Sequence, residues 1–115
     1  MQQQIQAARA YRAASTHRSP REQEADVFRR VTGVLRAAQG GTEMEQVKAL
    51  SDNTRLWMMV GDLLRDPANA LPEPLRASII SVGKALQREM QQSAPDFGFL
   101  IAVNEDITAG LSGVS

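Results

Sequence analysis

The chain has 115 residues, a formal net charge of zero at pH 7, one histidine and no cysteine. That length predicts a single domain with a modest core. The absence of cysteine excludes a disulfide framework and thiolate zinc sites, and no run is apolar enough to span a bilayer.

Residues 1–6 are mostly Gln and lack a basic stretch followed by an apolar one, so no secretory signal is expected; the absence of cysteine fits the cytoplasm. Residues 3–14 favour helix, but only Ile5, Ala8 and Tyr11 supply an apolar edge. This predicts an N-terminal arm over 1–18, a marginal helix that persists only when docked. Residues 15–19 form a break.

Ser19-Pro20-Arg21-Glu22 is a helix start. Ser19 is placed to cap, Pro20 fits the first helical position and Glu22 can close a capping box. Ala25, Phe28, Val31, Leu35 and Ala38 recur on one face, Val27 and Val34 widen it, and Gly40-Gly41 ends the helix.

Thr42-Glu43-Met44-Glu45 is a second capping box and predicts a helix to about Arg65, ahead of Pro67. Its expected stripe is Val47, Leu50, Thr54, Trp57, Gly61 and Leu64, with Leu56, Val60 and Leu63 beside it. Trp57 is read as core. Pro67, Pro72 and Pro74 then enforce a corner, because proline lacks an N–H and clashes with the preceding turn.

The next helix is expected from near Pro72 to about Gln92, with Leu75, Ile79, Val82, Leu86 and Met90 spaced four and three apart. Gly83 inside it suggests close packing; Gly61 in the helix before reads either as a close approach or as an untuned surface position. The last helix should run from about Pro95 to Gly110, with Phe97, Leu100, Ile101, Asn104, Ile107 and Leu111 on one face and a frayed tail over 112–115. No strand-like alternation of useful length occurs. The predicted fold is all-α, a single domain of four main helices plus the weaker N-terminal one, and short connections favour antiparallel neighbours.

Catalysis has little to work with. The one imidazole, His17, sits in a polar break, no thiol exists, and no serine lies in a nucleophile elbow. Glu22, Glu24 and Asp26, and likewise Glu43 and Glu45, lie in first helical turns, where acids complement the helix dipole. Glu105 and Asp106 are adjacent and do not share a helix face. Gly40-Gly41 lacks the Lys-Ser/Thr of a phosphate-binding loop. The reading is a non-enzyme with no catalytic residue, metal or cofactor.

Charge is uneven: residues 1–36 carry seven arginines against three acids, and residues 37–115 carry six basic groups against ten acids. Arg9, Arg12, Arg18, Arg21, Arg29, Arg30 and Arg36 suit phosphate contacts. Only Tyr11 and Phe28 are aromatic there, so no stacking platform for single strands is visible. Direct RNA contact is the weaker functional reading.

The stronger reading is protein binding. Met58, Met59, Ile80, Phe99 and Val103 are apolar, fall off the main stripes and have charged neighbours such as Arg55, Asp62, Arg76, Lys84 and Asp106. Adaptable methionines off the core stripe suit a groove for a partner helix. The alternative for each residue is burial under a neighbouring helix of the bundle.

Many short segments, in order, carry a family resemblance. They begin with Ala7-Ala8-Arg9-Ala10-Tyr11, continue through Arg21-Glu22-Gln23-Glu24-Ala25-Asp26-Val27-Phe28, Asn53-Thr54-Arg55-Leu56-Trp57 and Asp62-Leu63-Leu64, and culminate in Asn69-Ala70-Leu71-Pro72 and Leu75-Arg76-Ala77-Ser78-Ile79-Ile80-Ser81-Val82-Gly83. Phe99-Leu100-Ile101-Ala102-Val103-Asn104, with Ile107 and Gly110-Leu111, closes the series. The chain resembles the FlaF family of flagellar biosynthesis regulators over nearly its whole length. It departs from the family pattern at Lys84-Ala85, where a bulky apolar residue is common, and at Glu105-Asp106, near which a basic residue is common. The resemblance implies a cytoplasmic factor for flagellin production and export, acting on flagellin and opposite FlbT-type repressors. Covering the amphipathic ends of flagellin in a groove would make chaperoning and regulation one activity.

Overall fold

The structure is a computed structural model and describes residues 20–112. Four helices occur among them and no strand: α1 (Pro20–Ala38), α2 (Glu43–Arg65), α3 (Glu73–Met90) and α4 (Phe97–Ser112). The expected N-terminal helix lies outside the described residues.

Local chemistry sets each boundary. Helix α1 gives way at Gly40, whose φ of 69° is the left-handed conformation that glycine adopts without a Cβ penalty. The Gly41 N–H then reaches back to the Ala38 carbonyl at 2.9 Å. Thr42 opens α2 with a complete capping box. Its hydroxyl accepts from the Glu45 N–H at 3.1 Å, and its own N–H donates to the Glu45 carboxylate at 3.2 Å. Two hydrogen bonds thereby satisfy donors that a bare helix end leaves unpaired.

The proline-rich corner is held by two successive side-chain turns. Asp66 Oδ1 accepts from the Ala68 N–H and Asn69 Oδ1 from the Leu71 N–H, while Asn69 Nδ2 donates to the Leu63 carbonyl at the end of α2. Helix α3 starts behind Pro72 without a side-chain cap. Asp96 caps α4, accepting from the Phe99 N–H at 3.1 Å, and its own N–H is anchored by Glu89 at 3.0 Å.

Helix α1 packs on both α4 and α2, and α3 packs on α2. Neighbours α1 and α2 run antiparallel: Gln46 reaches the Ala38 carbonyl, and Phe28 meets Trp57 edge to face at 5.8 Å. Helices α2 and α3 are antiparallel as well, since Arg76 reaches the Leu64 carbonyl and Asn53 reaches Met90. The core holds Phe28, Val31, Leu35 and Ala38 from α1, Ala49, Leu56 and Trp57 from α2, Leu86 from α3, and Leu100 and Ile101 from α4.

The α1 and α4 stripes match the sequence expectation, and the α2 and α3 stripes match in part. Val47, Leu63 and Leu75 are exposed, Val47 at 60%. Helix α2 turns Ala49 and Asn53 inward instead. It contacts helices on two sides and carries apolar residues around most of its circumference, so periodicity alone does not select the inner face.

Candidate functional site

Trp57 stands at the junction of all four helices. Its ring is 3% exposed, lies edge to face with Phe28 and sits under Gly83, where a built Cβ would come within 3.1 Å of Cε3. The close packing expected at Gly83 is therefore an approach of α3 to the indole. The Trp57 N–H donates to Asn104 Oδ1 at 2.9 Å, and Asn104 Nδ2 donates to Asn53 Oδ1 at 2.8 Å. Asn53 Nδ2 in turn faces the Met90 sulfur at 3.4 Å. The network ties α2, α3 and α4 together, and both asparagines are fully buried. Satisfied buried polar groups of this kind fix one arrangement of the helices. At Gly61 the close neighbour is the guanidinium end of Arg65.

Helix α2 presents exposed apolar side chains to solvent. Met58 is 58% exposed and Met59 is 47% exposed. They stand on a ridge between two depressions. On one side a cleft of about 330 Å³ opens between α2 and α3, with Trp57 and Gly83 in its floor, Met58 and Ile80 in its walls, and Arg65 and Lys84 at its edge. On the other side a groove of about 440 Å³ separates α1 from α2, with Met59, Val27 and Val34 in its lining.

The five residues singled out in the sequence are thus distributed unequally. Met58 and Ile80 both line the α2/α3 cleft, and Ile80 is half-buried there. Met59 faces the α1/α2 groove. Phe99 is 41% exposed on α4 and lines neither depression, and Val103 is half-buried against the core. Val27 and Val34 widen the apolar face of α1, as the sequence predicts. They are half-buried and pack on the core, yet they also line the groove. Their position at the edge of the α1 stripe was the available signal. His17 and the arginines up to position 18 lie outside the described residues.

The carboxyl of Glu45 is held below the usual carboxylate range, chiefly by the hydrogen bond from the Thr42 N–H and also by the Thr42 hydroxyl. That shift belongs to a helix cap and not to either depression.

A family model described as flagellar protein FlaF matches residues 7–111. The chain belongs to the FlaF family. No curated protein and no solved structure matches it. The FlaF match runs through every helix described above, so the buried Trp57 network and both depressions lie inside the family region. Among the described residues, no helix of this FlaF chain is long and apolar enough to cross a membrane.

Proposed function

We propose that this FlaF-family chain is a non-enzymatic cytoplasmic factor that binds flagellin as a secretion chaperone and thereby couples flagellin synthesis to export. The observation that carries the reading is the methionine ridge of α2. Met58 and Met59 are solvent-exposed beside a rigid, hydrogen-bonded indole, and Met58 shares a cleft with Ile80. Flexible thioether side chains on a firm helical base suit an amphipathic helix laid across them. Flagellin supplies such segments at its ends, and covering them prevents premature self-assembly.

The test is copurification of tagged chain with co-expressed flagellin, with and without nuclease. Nuclease-resistant recovery in stable proportion supports direct protein binding. Loss of flagellin on nuclease treatment overturns it in favour of an RNA bridge, and absence of flagellin in both arms removes the chaperone role.

A further inference from the structure

The α1/α2 groove carries a basic excess: Arg30, Lys48 and Arg55 line it with a single acid, Asp52. Its floor is apolar: Val27 and Val34 of α1 face Leu56 and Met59 of α2. Arg30 stands on the α1 bank and Arg55 on the α2 bank. Both are exposed, and neither makes an ion pair or a side-chain hydrogen bond among the described residues. The nearby acids are already engaged. Asp52 holds Lys48 at 3.0 Å, and Asp26 holds Arg29 at 2.8 Å. A strip of apolar surface is therefore bounded on opposite banks by two uncompensated guanidinium groups.

The spacing defines the shape of an occupant. Val27 and Val34 are seven residues apart, or ~10 Å along the helix axis. That distance is two helical turns, the interval at which one face of a docked helix presents its anchors. The chain's own residues 1–19 are a poor complement, since they carry Arg9, Arg12 and Arg18 and no acid.

We infer that the α1/α2 groove receives an amphipathic helix of flagellin whose apolar face lies on Val27, Val34 and Met59 and whose flanking acidic residues pair with Arg30 and Arg55. The inference rests on the flagellin-binding reading and adds to it the surface used and the charge of the segment bound. Arginine suits the role because its planar fork accepts a carboxylate bidentately. Charges at the rim of such a site set the encounter rate and the salt dependence of binding.

The experiment measures binding of purified full-length chain to cognate monomeric flagellin across a salt series, for wild type, R30E/R55E, R30Q/R55Q and the control R88E on exposed α3 surface. Thermal melts confirm that each variant is folded, and light scattering reports the mass of the chain alone. The expected result is at least a tenfold loss of affinity for R30E/R55E at low salt, a smaller loss for R30Q/R55Q, a shallower salt dependence in both, and no more than about a twofold change for R88E. Wild type that binds flagellin while R30E/R55E binds equally well, with the same salt dependence, overturns the groove assignment and leaves the chaperone reading intact. An equal loss in R88E overturns it too, by reducing the effect to overall charge. A wild-type dimer that R30E/R55E dissociates gives the groove to a second copy. Wild type that fails to bind flagellin overturns the chaperone reading, and the inference falls with it.

Discussion

The indole N–H of Trp57 and the side-chain oxygen of Asn104, 47 positions apart in sequence, form a buried hydrogen bond of 2.9 Å. It joins α2 to α4, two helices that otherwise meet mainly through α1. Asn104 passes the connection on to Asn53, so the amide serves as donor and acceptor at once.

Removing that amide should destabilise the fold strongly. Asn104→Ala strands the Trp57 N–H and the Asn53 oxygen in the core. Each orphaned group costs about 1–3 kcal/mol, so a loss of about 2–6 kcal/mol for the two is expected from denaturant melts. Trp57→Ala loses the ring contact with Phe28 as well and should cost about 3–5 kcal/mol. A loss under about 1 kcal/mol for Trp57→Ala would contradict its place in the core.

Two glycine substitutions should have opposite signs. Gly33 lies inside α1 with nothing within 4 Å of a built Cβ. Gly33→Ala should stabilise by up to about 1 kcal/mol through helix propensity. At Gly83 the same Cβ meets the Trp57 ring at 3.1 Å, and Phe28 and Asn104 hold that ring in place. Gly83→Ala should therefore destabilise, by about 1–3 kcal/mol as overpacking. Paired thermal melts of the two variants check the contrast.

The capping box predicts an acid-side pH dependence. Hydrogen bonds from Thr42 lower the Glu45 pKa in the folded chain. A depressed carboxyl contributes stability above its unfolded value and loses it as pH falls through the folded value. Glu45→Gln should flatten the fall in stability below about pH 4.5 relative to wild type. Thr42→Ala should cost about 1 kcal/mol at neutral pH by removing the cap. Melts from pH 3 to 7 on the three proteins measure both effects.

Aspartate at the five off-stripe positions should divide them into two groups. Met58, Met59 and Phe99 are exposed, so their Asp variants should stay within about 0.5 kcal/mol of wild-type stability. Ile80 and Val103 are half-buried, and their Asp variants should melt earlier because a charge enters partly apolar surroundings. If the partner lies in the α1/α2 groove, Met59→Asp should weaken flagellin binding by about 2 kcal/mol and Phe99→Asp should not; an equal loss for Met58→Asp, on the α2/α3 side, would place the partner across the whole ridge. Unchanged binding in all three stable variants would remove α2 as the docking ridge.

Much of this fold is written locally. The Thr42–Glu45 box, Gly40 and the prolines at 67, 72 and 74 mark helix ends, because capping and backbone restriction act within a few residues. The inner faces of α1 and α4 were legible in the same way, since each has one apolar stripe. The inner face of α2 was legible only in part, with Leu56, Trp57 and Leu64 buried as expected. Its apolar residues surround much of the helix, and burial of Ala49 and Asn53 rather than Val47 and Leu63 was settled by contact with α1 and α3 on two sides. The protein-binding candidates were visible as residues off the stripes, but only the tertiary structure decided that Met58 and Ile80 share a cleft while Phe99 stands apart. Likewise, sequence placed Asn104 on a buried stripe without a partner. Partners for the amide come from α2, 47 and 51 positions away, and separations of that size leave no trace in local periodicity.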